Sequence, residues 1–279
     1  DAIYQVVRCF EDADIIHIND EVNPINDLEI IKDELRLKDI EFAQKHLEGI
    51  EKITKRGGQS LEVKQKKEEA KLVERIIELL EAGGRVANQK WTQKEVEVIN
   101  SMFLLTAKPC IYLLNLSERD YARKKNKWLL KIKEWVDANS PGDVVIPLSV
   151  SMESHLATLE TDEEREAYIK EVGAGSAFPK IITTMRNKLD LISFFTGGPD
   201  EVREWTIRRY YTAPQAAGTI HTDLERTFIL ANVMKYDDFI EYGDEVAVKS
   251  AGKLMQKGKD YFVEDGDILH IKAADGKAR

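Results

Sequence analysis

Cys110-Ile111-Tyr112-Leu113-Leu114 is an unbroken apolar run, followed at once by Asn115-Leu116-Ser117-Glu118. Five apolar residues without polar alternation predict a strand buried on both faces, as in a parallel sheet. Ser117 predicts a helix cap. The helix behind it is expected to reach about Ala138, with Tyr121, Trp128, Ile132 and Trp135 on its apolar side. Pro141-Gly142 closes that connection, and Val144-Val145-Ile146-Pro147-Leu148 reads as the next strand. Strand, helix, strand at this spacing is a βαβ unit, right-handed by default.

Upstream, residues 2–10 form a third short, β-branched run ending in Cys9-Phe10. The period then changes. Leu28, Ile31 and Leu35 repeat at helical spacing, as do Leu37, Ile40, Ala43, Leu47 and Ile50. Gly57-Gly58 interrupts the helix, and a second stripe of Leu72, Val73, Ile76, Ile77 and Leu80 stops at Gly83-Gly84. Two amphipathic helices about a glycine turn predict an antiparallel hairpin over about 27–84. Its stripes are too short and irregular to establish a coiled coil. Thr92 and Glu95 make a capping box for a short helix.

Downstream, the acidic stretch within 151–188 reads as a link. Beyond it the expected strands are Leu191–Phe195, Val202–Ile207, Phe228–Val233, Tyr261–Glu264 and Ile268–Ile271, with one helix capped by Thr222 or Asp223. A compact α+β module over 189–275 follows, after a nucleotide-binding-type domain over 1–188.

A hydrophobic content of 43% with 33% charged residues suits a folded core rather than a disordered chain. The net charge of −9 argues against a general nucleic-acid coat, and no DNA partner is expected. Cys9 and Cys110 sit in apolar runs with no metal or disulfide spacing. No apolar run approaches the roughly 20 residues of a membrane helix. No signal peptide stands at the start, and a cytoplasmic location is expected. The chain opens directly on strand residues, so further sequence is expected before Asp1.

In doubly wound folds ligands sit outside the carboxyl ends of the strands. Asn115 at such an end can bond a base edge, and Glu118 can accept from ring or exocyclic N–H groups. Ser149-Val150-Ser151 closes the next strand as a second loop. The spacing alone favours a plain strand-end turn with Ser117 as cap, and the position at the end of a buried strand brings the base-reading role level with it. No Gly-x-x-x-x-Gly-Lys-Ser/Thr occurs. The Gly-Lys pairs at 252, 258 and 276 lack the earlier glycine and the hydroxyl. A triphosphate therefore has no backbone cradle of the P-loop kind in these 279 residues.

Several stretches together resemble the Obg-like ATPases, the YchF subfamily of P-loop NTPases. They are Val6–Asp12, Asn23-Pro24 with Asp27-Leu28-Glu29, Tyr112–Glu118, Arg123–Val136 and Phe194–Ile207. The most specific is Ala213-Pro214-Gln215-Ala216-Ala217-Gly218-Thr219-Ile220-His221-Thr222-Asp223. The resemblance implies an α/β fold: part of a Rossmann-like P-loop NTPase domain with an inserted helical hairpin, then an α+β ubiquitin-like β-grasp (TGS) domain. It implies ATP as substrate with GTP weaker, and Mg²⁺ held by residues upstream of Asp1, with no metal ligand in this chain. Asn115, Leu116, Ser117 and Glu118 stand where GTPases carry Asn-Lys-x-Asp, and Glu118 with Leu116 goes with adenine. Replacing Glu118 by Asp and Leu116 by Lys is then expected to favour guanine. Ser149, Val150 and Ser151 stand in the last base-side loop. His17 matches a histidine proposed to assist hydrolysis; neutral imidazole can position or deprotonate water. By its residues alone His17 also reads as a histidine ending a strand.

The resemblance further implies association with the ribosome. Two basic runs could contact ribosomal RNA, or could be solvated faces: Lys52, Lys55, Arg56, Lys64, Lys66 and Lys67 near the hairpin tip, and Arg119 to Lys133 after the base motif. The leading expectation is an ATP-hydrolysing regulator of translation whose 279 residues alone do not turn over ATP. The alternatives are an RNA- or ribosome-binding module, or a non-hydrolysing scaffold.

Overall fold

The computed structural model describes residues 1–11, 22–55, 60–198 and 201–274. Internal contacts divide it into two units, Asp1–Ile182 and Thr183–Arg279.

The first unit opens with β1 (Ile3–Arg8) and two long helices, α1 (Pro24–Lys55) and α2 (Leu61–Glu81). Then come α3 (Gln93–Met102), β2 (Cys110–Asn115), α4 (Glu118–Arg123), α5 (Leu129–Asn139), β3 (Val144–Leu148), α6 (Val150–Thr158) and α7 (Asp162–Val172). The helix α8 (Phe178–Lys188) runs across the division between units. The sheet has the order β1-β2-β3 and both pairings are parallel. Residues Cys110 to Leu114 are all buried, as a central parallel strand requires. β1 is an edge strand among the described residues, and it leaves Val6 60% exposed.

The helices α1 and α2 pack along each other as a hairpin. Ala43, Ile50, Leu72, Val73, Ile76 and Leu80 form one buried cluster between them and α3. Ser60 caps α2, its side chain accepting from the Val63 N–H. The α2 exit turns back through Gly83 at φ +82°, and the Gly84 N–H donates to the Leu79 carbonyl at 2.9 Å. The turn predicted at Gly57-Gly58 lies outside the described residues.

One helix was expected from Ser117 to about Ala138; two are present. Lys124 takes a left-handed conformation, φ +53°, and ends α4. Asn126 holds the break open. Its Nδ2 donates to the Cys9 carbonyl at 2.9 Å and to Asp120 Oδ2 at 2.7 Å, and its Oδ1 accepts from the Trp128 N–H at 2.9 Å. Side-chain bonds of this kind compete with helical ones. The expected linker within 151–188 is helical, formed by α6, α7 and the start of α8.

The second unit contains β4 (Leu191–Gly197), β5 (Val202–Arg208), α9 (Ala213–Ile220), α10 (Thr222–Arg226), β6 (Phe228–Lys235), α11 (Tyr236–Tyr242), α12 (Glu245–Ser250), β7 (Met255–Lys257) and β8 (Asp267–Ala273). Its sheet runs β5-β4-β8-β6-β7, with β4 and β8 parallel and the other pairs antiparallel. The helix α9 packs Ala213, Ala216 and Ala217 onto Phe194, Ile207 and Val233. This is the β-grasp arrangement, a mixed sheet with a helix across it. Tyr261–Glu264, expected as a strand, forms only a bridge between Phe262 and Thr212 and a turn closed by the buried Asp267.

Candidate functional site

The parallel register brings the ends of three strands together. Asn115, the last residue of β2, lies level with Arg8 of β1 and Leu148 of β3. Backbone bonds continue past the strands on both sides. The Cys9 N–H donates to the Asn115 carbonyl, and the Leu116 N–H to the Leu148 carbonyl, both at 2.9 Å.

The Asn115 side chain reaches across to the next loop. Its Oδ1 accepts from the Val150 N–H at 3.0 Å. Ser149, Val150 and Ser151, expected as a loop, are the cap and first turn of α6. Ser149 is fully buried and shares a 3.1 Å hydrogen bond between its Oγ and that of Ser151. Asn115 is thus fixed against this helix start.

Leu116 is 2% exposed and packs with Val7, Cys9, Leu114, Ile132 and Val136. It shapes the loop from beneath, where a lysine would place an ammonium among apolar side chains. Replacing Leu116 by Lys therefore carries a stability cost of its own, and Glu118 is the cleaner position for a substitution.

Ser117 caps α4, its Oγ accepting from the Asp120 N–H at 3.2 Å. Capping turns the Glu118 side chain into the first helical position, half-buried. There the Tyr168 hydroxyl, from α7, donates to Glu118 Oε2 at 2.6 Å. The Tyr168 ring lies 4.3 Å from that of His155 on α6. Burial, and then the bond to Glu118, pushes the Tyr168 phenol up to about 12. Tyr168 stays protonated at neutral pH and acts as donor only toward the carboxylate.

A second carboxylate ties down the same region. Glu153, buried on α6, accepts from Ser176 Oγ at 2.8 Å and from the Ala177 N–H at 2.6 Å. The Tyr121 hydroxyl donates to the Gly175 carbonyl at 2.9 Å. The segment after α7 is therefore pinned to both α4 and α6.

Beside the motif lies a cavity of about 580 Å³, lined among others by Cys9, Phe10, Ser117, Asp120, Asn126 and Trp128. Asn115 and Glu118 lie outside this lining. Burial pushes the Cys9 thiol up to about 12, with Asp27 adding to it, and the Cys110 thiol up to about 11, with Asp143 adding. Neither supplies a thiolate nucleophile near neutral pH. His17 lies outside the described residues. Among the described residues no group of three or more His, Cys, Asp or Glu side chains could hold a metal ion. Nor, among them, is any helix long and apolar enough to cross a membrane.

Tyr168, Glu153 and Asn126 escaped the reading of the sequence. Each works through a partner distant in the chain, and the local pattern around it carries no sign of that partner.

Known proteins place this arrangement. The family model of the YchF-GTPase C-terminal domain, described as a protein of unknown function (DUF933), matches residues 191–274. An Obg-like ATPase 1 from Saccharomyces cerevisiae is 70% identical over 277 residues, covering 99% of this chain and 70% of that protein. An Obg-like ATPase 1 from Schizosaccharomyces pombe is 54% identical over 274 residues, covering 98% and 70%. The solved structure of the Schizosaccharomyces pombe YchF GTPase superposes with a TM-score of 0.87 at 53% identity, covering 98% of this chain and 72% of that one. A GTP-binding protein from Pyrococcus horikoshii OT3 aligns with a TM-score of 0.57 at 16% identity, covering 98% and 78%, a likeness of fold alone. With relatives of such identity along nearly its whole length, the chain belongs to the Obg-like ATPase (YchF) family of P-loop NTPases.

Proposed function

We propose that this chain supplies base recognition in an ATP-hydrolysing member of its family, with Glu118 accepting from the adenine amino group and Asn115 bracing the loops around the base. One observation carries the reading. The Glu118 carboxylate stands half-buried at the carboxyl end of a central parallel strand, with one oxygen held by Tyr168 and no hydrogen bond to the other among the described residues. Ligands of such folds bind at that end of the sheet.

The names of the relatives point to different nucleotides: the curated proteins are called ATPases, while the solved Schizosaccharomyces pombe structure is called a GTPase. A glutamate in place of the aspartate of Asn-Lys-x-Asp supports adenine here. These 279 residues span about 70% of the length of the yeast relatives and hold no P-loop sequence, and the proposal assigns the phosphates and Mg²⁺ to residues outside them. His17 is proposed to position the attacking water.

The test uses the full-length protein. ATP should be hydrolysed with a higher kcat/KM than GTP. Glu118→Asp should move the ratio toward GTP by about tenfold or more, the worth of one hydrogen bond to a charged acceptor. Turnover of neither nucleotide would overturn the enzymatic reading. An unchanged ratio in Glu118→Asp would remove the role assigned to Glu118.

A ribosomal RNA partner has its own support. Lys127 and Lys131 place their ammonium groups 5.5 and 5.3 Å from the Trp128 ring centroid, a cationic and aromatic surface able to meet phosphate and base. Charge reversal of Lys127 and Lys131 should weaken ribosome co-sedimentation and flatten its salt dependence. Unchanged sedimentation would discard this surface.

A further inference from the structure

We propose that Tyr168 sets the base preference by engaging one oxygen of Glu118, leaving the other as the stronger acceptor, which suits adenine and disfavours guanine. The inference rests on the reading of Glu118 as the residue facing the base, and adds to it a residue from another helix.

The chemistry follows from the two base edges. Guanine presents two adjacent donors, the ring N1–H and the 2-amino group. A carboxylate with both oxygens open matches them in a bidentate pair. Adenine presents one donor, the 6-amino group, beside an acceptor, N1. Two open carboxylate oxygens would satisfy the amino group and set an anionic oxygen against N1. Hydrogen-bond complementarity of this kind is what separates bases wherever their edges are read.

In this structure the Tyr168 hydroxyl donates to Oε2 at 2.6 Å, and Oε1 takes no hydrogen bond among the described residues. The hydroxyl draws off part of the charge on Oε2, so its repulsion of the adenine N1 weakens. The same bond takes one of the two lone pairs of Oε2 and draws on its charge, so that oxygen is a weaker acceptor for a second guanine donor. Tyr168 itself is held by position rather than chance. Its ring packs tilted against that of His155, 4.3 Å between centroids, and α7 is capped by a Thr161–Glu164 box. Past α7, Gly175 and Ala177 are tied to Tyr121 and Glu153. Tyr168 is a positioning residue, since it touches the carboxylate and not the base.

The test compares ATP, GTP and inosine triphosphate in the full-length protein. Inosine keeps the N1–H of guanine and lacks its 2-amino group, so the GTP to inosine triphosphate ratio counts the second donor. Tyr168→Phe removes only the hydroxyl and keeps the ring against His155. It should lower the ATP to GTP ratio of kcat/KM about tenfold, and raise the GTP to inosine triphosphate ratio by a similar factor. Both shifts should vanish when Glu118→Gln is also present. Equal losses for all three nucleotides in Tyr168→Phe would mean a merely structural role and overturn the proposal. Ratios unchanged in Tyr168→Phe but altered in Glu118→Gln would overturn it while leaving Glu118 as base reader. Ratios unchanged in both variants would overturn the base-reading role itself.

Discussion

Asp39 lies in the middle of α1 with no exposed surface. Its two carboxylate oxygens accept from the Leu105 and Thr106 N–H groups, each at 2.7 Å. These are the first amides of a short 3₁₀ turn, Leu105–Ala107, which leads into β2. One carboxylate thus fastens the hairpin to the central strand of the sheet. Asp39→Ala should cost about 3 kcal/mol, because two amides lose a charged acceptor. Equilibrium denaturation reads this directly, and a loss below 1 kcal/mol would show that water replaces the carboxylate. The helical period pointed elsewhere: it selected Leu37, which is 57% exposed, and passed over Asp39. A buried charge was illegible because its partners lie 66 and 67 residues further on. Tyr168 was hidden for the same reason, 50 residues from Glu118. Asn115 and Ser117, by contrast, take their positions from the apolar run directly before them.

At the scale of elements, the hairpin has a polar clasp. Glu69 on α2 meets His46 Nε2 at 2.8 Å and Lys66 Nζ at 2.6 Å. Burial works against its ionisation, but the bonds from Lys66 and His46 prevail and hold the carboxyl below its ordinary value of 4.5. A lowered carboxylate contributes stability above its unfolded pKa, and that contribution is lost as pH falls through the folded value. The urea midpoint should therefore drop between pH 6 and pH 3, and drop less in Glu69→Gln. Equal drops would mean that the clasp contributes nothing. The hairpin was legible because its stripes repeat through many turns. The break between α4 and α5 was not, since it depends on Asn126 reaching the Cys9 carbonyl 117 residues away. The helix α9 escaped notice for another reason: its buried face is alanine, and small residues make no large apolar stripe.

At the scale of the molecule, each unit carries its own core. The second is centred on Phe194, fully buried and stacked 6.5 Å from Trp205. Phe194→Ala should destabilise that unit by about 3–5 kcal/mol, seen as faster hydrogen exchange in β4, β6 and β8. Exchange unchanged in those strands would place the core elsewhere. The alternation of strands and helices in the first unit and the signature at Ala213–Asp223 made both folds readable. The short helices α11 and α12 and the strand β7 were not, as none is long enough to show a period.

The proposed base reader is a carboxylate that meets adenine through one oxygen. The position of the base in the full-length protein, co-crystallised with a non-hydrolysable ATP analogue and Mg²⁺, tests it most directly. The adenine amino group is expected within hydrogen-bond distance of Glu118 Oε1, with Tyr168 still donating to Oε2. A base bound away from Asn115 and Glu118, or a Glu118 turned wholly toward Tyr168 with the adenine in place, would contradict it.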